Sequence, residues 1–149
     1  MHADARLRAG AVLGAAVIAL SGCHRQPDTQ AGVRTLIEDV RAAAEDHDTG
    51  AIILRLTDDF RGTGGLNRTD AIATLKQYFA AYETLRVNVY DVAITPKSTR
   101  EGEVTCRVEL TGAPKRIGAL AHLLPPSAAY RFHLYVVRPS GPDWMVQSA

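Results

Sequence analysis

Apolar positions in the first half of the chain recur with the period of a helix. One face of a first helix, starting near Gln30, carries Val33, Leu36, Ile37, Val40 and Ala44. A short second helix is predicted over 51–56 and a third after Asn67, a good N-cap with Asp70 at the third helical position. Asp58-Asp59-Phe60 and the glycine-rich segment 61–65 are interpreted as a helix end followed by a loop.

After Glu83 the period changes to the alternation of a strand. Leu85, Val87 and Val89 alternate in one phase and Tyr90, Val92 and Ile94 in the other, which predicts a bulge within one strand. Further strands are predicted over 104–110, 130–136 and 144–148. Three helices followed by antiparallel strands predict an α+β fold in which the helices cover one face of a bent sheet.

The N-terminus has the features of a secretion signal. Ala9 to Leu20 carries no charge, and as a helix it would rise about 18 Å, too short for a bilayer core of about 30 Å. The sequence Leu20-Ser21-Gly22-Cys23 then resembles the bacterial lipobox, which implies that Cys23 is lipidated. We therefore expect a signal peptide over 1–22, a lipidated cysteine with a polar tether over 23–29 and one domain over 30–149.

This resemblance also implies a location. His24 stands where an Asp would favour retention in the inner membrane, so we expect a lipid anchor in the outer membrane that faces the periplasm. The leader holds two of the 17 basic and one of the 16 acidic residues, so the remaining chain is neutral. A neutral chain does not favour nucleic-acid binding. Cys106 remains as the second cysteine, and we interpret it as a small core hydrophobe.

Several short motifs resemble the NTF2-like superfamily, and more narrowly the small NTF2-like lipoproteins of Gram-negative bacteria. They are Leu-x-Asp-Asp-Phe at 56–60 with Gly62 and Gly65, Leu-Thr-Gly at 110–112, Leu-Leu-Pro at 123–125 and the final strand Asp-Trp-Met-Val-Gln-Ser at 143–148. The resemblance implies a cone, in which a strongly curved antiparallel sheet wraps around N-terminal helices and leaves a pocket at its wide end.

Some members of this superfamily are isomerases or dehydratases that pair an inward Asp or His with a Tyr. The candidates here are Asp58, Asp59, Tyr78, Tyr82, Asp91 and His133. The stretch 61–66, where isomerase-like members carry their base, contains no acid and no histidine. The two aspartates also suit a helix cap and a solvated turn. We therefore assign no catalytic residue from the sequence.

Three hypotheses remain open. The favoured one is a non-catalytic module of the cell envelope that binds a small apolar ligand or a protein. The second is a small-molecule isomerase or dehydratase of the SnoaL and ketosteroid-isomerase type with an Asp-Tyr pocket. The third is a structural envelope partner, which predicts an exposed apolar patch at 120–124 within the long loop 112–129. We expect no cofactor, no metal site, because the histidines lack ligand spacing, and a monomer or a homodimer.

Overall fold

The computed structural model describes residues 28–115 and 125–149, which form three helices and a five-stranded sheet. The helices are α1 (Thr29–Glu45), α2 (Thr49–Ile53) and α3 (Arg68–Ala81), and a short 3-10 turn occupies Thr63–Gly65. None of the described helices is both long enough and apolar enough to cross a membrane. Cys23 and the segment 120–124 lie outside the described residues.

The strands are β1 (Leu56–Arg61), β2 (Tyr82–Pro96), β3 (Glu101–Pro114), β4 (Ser127–Val137) and β5 (Met145–Ser148). They form one curved sheet in the order β1-β5-β4-β3-β2. Strands β2 to β5 pair antiparallel, as the sequence predicts, whereas β1 pairs parallel with β5. The α+β fold class is confirmed, but the sheet is mixed rather than wholly antiparallel.

The prediction for residues 51–60 is wrong in its boundaries. Helix α2 begins at Thr49, because the side chain of Asp48 accepts a hydrogen bond from the Ala51 N–H and so caps its first turn. The helix ends at Ile53, and Leu56 already belongs to β1. Asp58 and Asp59 therefore lie in a strand at the sheet edge, not at a helix end.

Helix α3 begins as predicted. The Asn67 side chain accepts from the Asp70 N–H, and the Asp70 carboxylate accepts from the Asn67 N–H, which completes a capping box. The helix ends at Ala81, and Tyr82 is the first residue of β2.

The predicted bulge in β2 is confirmed. The pairing with β3 shifts register between Tyr90 and Ala93. Asp91 adopts φ 51°, a left-handed conformation that Asp tolerates better than most residues. The inward phase of β2 switches at this point, and the strand bends with it.

Two groups of buried side chains hold the helices against the concave face of the sheet. The first joins α1 to β1, β3, β4 and β5 around Val33, Leu36, Val104, Val136 and Trp144. The second joins α1, α2, α3 and β2 around Ala43, Ile52, Phe79, Leu85 and Val87. Between these groups the helices and the concave face of the sheet leave a cavity that is open to solvent on one side.

Candidate functional site

A cavity of about 450 Å³ lies between α1, α3 and the concave face of the sheet. The strands supply alternate residues to its wall, because successive side chains of a strand point to opposite faces. From β2 these are Leu85, Val87 and Val89, and from β3 they are Cys106, Val108 and Leu110. The alternation that the sequence shows is thus the origin of an apolar wall.

The helices line the opposite side of the cavity. Leu36, Ile37 and Val40 contribute from α1, and Leu75 and Tyr78 from α3. Among the described residues of the wall there is no Asp, Glu or His side chain. The cavity suits an apolar guest, because burial of apolar surface is the main favourable contribution to binding in such a site.

Two tyrosines stack at the C-terminal end of α3. The rings of Tyr78 and Tyr82 lie 4.8 Å apart between centroids, and Tyr78 lines the cavity. Tyr82 is 2% exposed, and its hydroxyl donates to the Pro125 carbonyl oxygen over 2.9 Å. Burial raises the pKa of Tyr78, so this phenol stays protonated.

Among the described residues of the wall, one carries a charge, Arg41 of α1. Its guanidinium bonds both oxygens of Glu38, and Nη1 lies 2.8 Å from Glu45 Oε2. The other oxygen of Glu45 accepts from the Val87 N–H over 2.9 Å. The Val87 N–H, followed by Arg41, lowers the pKa of Glu45, which stays ionised and connects α1 to β2.

The two aspartates considered as bases lie outside the cavity wall. Asp58 is fully exposed, and its nearest cation, Arg68, is 3.9 Å away. Asp59 is exposed and accepts from the Gln147 amide over 2.9 Å. The neighbouring Thr57 hydroxyl, and then the hydrogen bond from the Gln147 amide, lower the pKa of Asp59. Neither carboxylate meets a tyrosine hydroxyl in the cavity.

The remaining candidates are also separate from the cavity. The His133 side chain is 69% exposed on the outer face of β4, and Nε2 is 4.0 Å from Glu103. Asp91 is exposed at the bulge, 3.4 Å from Arg107. Tyr82 is buried behind Tyr78 rather than in the wall. Of the candidates named from the sequence, the structure brings only Tyr78 into the cavity wall.

Cys106 lies in the wall and is 5% exposed, as its inward position in β3 predicts. Burial raises the pKa of its thiol, which therefore stays protonated. Residues 28–115 and 125–149 contain no group of three or more side chains that could hold a metal ion.

Sequence reasoning missed Arg41 and Thr74 as wall residues. Arg41 has a local signal, since Glu38 and Glu45 stand three and four residues away and can pair with it on one helix face. Thr74 has no such local signal, because an isolated Thr in a helix is usually interpreted as a surface residue.

No protein-family model and no curated protein sequence matches this chain. Solved structures do match it. A scytalone dehydratase-like protein from Novosphingobium aromaticivorans superposes with a TM-score of 0.68 and 12% identity, over 80% of this chain and 79% of that one. An NTF2-like superfamily protein from Salmonella enterica superposes with a TM-score of 0.63 and 8% identity, over 78% of this chain and 84% of that one.

A type 2 hexachlorocyclohexane dehydrochlorinase, LinA, gives a TM-score of 0.62 and 12% identity, over 80% of each chain. At these identities the likeness establishes the fold alone. The chain therefore has the NTF2-like fold that its motifs predict.

Proposed function

We propose that this protein is a lipid-anchored binding protein of the cell envelope, which takes a small apolar molecule into its cone. The observation that carries the proposal is the apolar cavity of about 450 Å³, a volume within the range of small-molecule sites. The lipobox-like sequence ending at Cys23 supports the anchor, with the domain facing the periplasm.

An isomerase or dehydratase is the second candidate. Two proteins of similar structure, a scytalone dehydratase-like protein and a dehydrochlorinase, favour it. Such chemistry needs a general base within hydrogen-bond reach of the substrate. Asp58, Asp59 and His133 lie outside the wall, and among the described wall residues none is an acid or a histidine. Binding is therefore the function that the geometry supports best.

Recovery of a bound molecule tests the proposal. The full chain would be expressed in a Gram-negative host and purified from the membrane fraction, and its organic extract would be analysed by mass spectrometry. We expect an apolar molecule that co-purifies with the protein. Val89→Phe should lose it, because residue 89 faces the cavity and the larger ring fills it.

Asn88→Phe is the matched control. It adds the same ring to the neighbouring residue of β2, on the exposed opposite face, and should retain the molecule. Circular dichroism would verify that both variants fold. Equal recovery from wild type and Val89→Phe would refute a ligand in the cone.

A further inference from the structure

The described surface of the cavity is almost entirely apolar, although some of its wall residues carry polar atoms. The Arg41 guanidinium is bonded to the carboxylates of Glu38 and Glu45. The Thr74 hydroxyl donates to the Asp70 carbonyl oxygen over 2.9 Å. The described part of the wall therefore presents hydrocarbon to a guest, while these polar groups bond to other parts of the protein.

The mouth of the cavity is marked by the wall residues that water reaches. Leu66 is 40% exposed and Tyr130 is 45% exposed, and Thr74 is exposed as well. The other described wall residues are buried or half-buried. Thr74 lies on α3, which packs against β1 and β2, whereas Tyr130 lies on β4. The cavity therefore opens between α3 and β4, and a polar group of a guest can stay hydrated at this mouth.

The buried part of the wall penalises polar groups. Leu36, Phe60 and Val87 belong to it. A hydroxyl group that leaves water without a new hydrogen-bond partner loses affinity, whereas a buried methylene gains it. A guest with polar groups at both ends would have to bury one of them or fold back on itself. A guest whose polar groups all lie at one end avoids both costs.

The volume of the cavity limits the size of the apolar part of a guest. An apolar cavity of about 150 Å³ takes one benzene ring. The cavity in the cone measures about 450 Å³, so it holds on the order of 15 carbon atoms. This is the size of one hydrocarbon tail.

We propose that the ligand is a single-tailed amphiphile, with its hydrocarbon tail in the cone and all of its polar groups at one end, in the mouth between α3 and β4. This inference rests on the proposed function, because it identifies the ligand class of the same cavity. It adds that the position of the polar groups, and not only the apolar character of the molecule, decides which guests bind.

Two isomers test the position of the polar groups. In 1,2-dodecanediol both hydroxyl groups lie at one end, whereas 1,12-dodecanediol carries one at each end. The full chain would be reconstituted in lipid nanodiscs, and bound diol would be measured by equilibrium dialysis against matched empty nanodiscs. The ratio of the two Kd values would be corrected by the partition of each isomer into octanol, a solvent that can hydrogen-bond to both hydroxyl groups. We expect 1,2-dodecanediol to bind at least about tenfold more tightly after this correction.

A shorter diol tests burial of the tail. Each buried methylene contributes about fourfold in affinity, so 1,2-decanediol should bind about 15-fold more weakly than 1,2-dodecanediol. Val89→Phe fills the cavity and should lose the binding of both. Asn88→Phe places the same ring on the exposed opposite face of β2 and should retain it.

The outcomes distinguish the two proposals. If the two dodecanediols bind equally after the correction, the wall supplies a partner for a buried hydroxyl group; the cavity still binds apolar guests, but the single-tailed inference is overturned. Equal binding of 1,2-decanediol and 1,2-dodecanediol would also overturn it, because the tail would then lie outside the wall. If no diol binds above the empty nanodisc, or if Val89→Phe binds the diols as wild type does, the proposed function fails and this inference fails with it.

Discussion

The indole ring of Trp144 lies directly against the Cα atom of Gly32. A Cβ atom added at residue 32 would stand 2.4 Å from Nε1 and 2.7 Å from Cδ1 of this ring. Trp144 is 4% exposed and precedes β5, so its ring has little room to move. The absence of a side chain at Gly32 therefore allows the first turn of α1 to meet the end of the sheet.

Gly32→Ala should destabilise the protein in spite of the higher helix propensity of Ala. Helix propensity alone favours Ala by about 0.5–1 kcal/mol, but overpacking against a buried ring costs about 1–3 kcal/mol. We expect a net loss in the free energy of unfolding, measured by chemical denaturation. Gln30→Ala, an exposed change in the same helix, should show no such loss; a variant Gly32→Ala as stable as wild type would contradict the contact.

Asp91→Val should destabilise the bulge of β2. The backbone of Asp91 has φ 51°, and a β-branched side chain is strained there, at a cost of about 1–3 kcal/mol. Asp91→Gly removes the strain of the left-handed backbone and loses only an exposed ion pair with Arg107. Its free energy of unfolding should therefore differ from wild type by no more than about 1 kcal/mol. Thermal unfolding of both variants, beside the exposed β2 change Asn88→Val, measures the difference. Equal effects of Val and Gly at residue 91 would argue against a left-handed conformation.

Glu45→Gln should weaken the connection between α1 and β2 in a pH-dependent way. The folded state lowers the pKa of Glu45, so the ionised form adds stability above its unfolded pKa near 4.5, and this stability is lost as the pH falls through the folded pKa. We expect the variant to be less stable by about 1 kcal/mol at pH 7, the difference between a charged and a neutral hydrogen bond.

The difference between wild type and Glu45→Gln should shrink below about pH 4.5. Urea unfolding at several pH values would measure it. Glu83→Gln changes an exposed glutamate and serves as control. A difference that persists unchanged in acid would show that Glu45 acts through packing and not through its charge.

Cys23→Ala should abolish incorporation of labelled palmitate and leave the unprocessed precursor, because the lipid would be attached to this thiol. The chain has two cysteines, and Cys106→Ala provides the matched control that retains the label. Gel autoradiography of extracts from cells grown with labelled palmitate would show whether each variant carries the label. Label that persists in Cys23→Ala would refute the proposed anchor.

The long strands could be predicted because their information is local. Alternation at 104–110 assigns Cys106 to the buried face, and the change of phase after Val89 locates the bulge at Tyr90 and Asp91. A two-residue period fixes which face of a strand is apolar, whatever its partner.

Strand β1 could not be predicted because its signal is not local. Two adjacent aspartates interrupt its alternation, and among the described strands it pairs with β5, where Val146 lies opposite Leu56 although the two are 90 positions apart in the sequence. The extended conformation of Asp58 and Asp59 is stabilised by this distant partner rather than by their own propensities.

At the candidate site, too, part of the structure follows from local sequence and part depends on distant residues. Tyr78 and Tyr82 are four residues apart and look equivalent as helix positions. The helix ends between them, at Ala81, so Tyr78 faces the cavity while Tyr82 begins β2 and is buried behind it. The buried Tyr82 hydroxyl donates to the carbonyl oxygen of Pro125, a residue 43 positions away, and this distant partner has no local sequence signal.

The sequence by itself determined the α+β class, the order of α1, α3 and β2 to β5, the bulge and the apolar faces, because each follows from local periodicity. Only the tertiary structure decided the parallel edge strand, the separation of the aspartates from the cavity, and the existence of the cavity itself. Periodicity predicts which side chains face the core. The volume left between the helices and the sheet depends on how the sheet curves and where the helices lie against it.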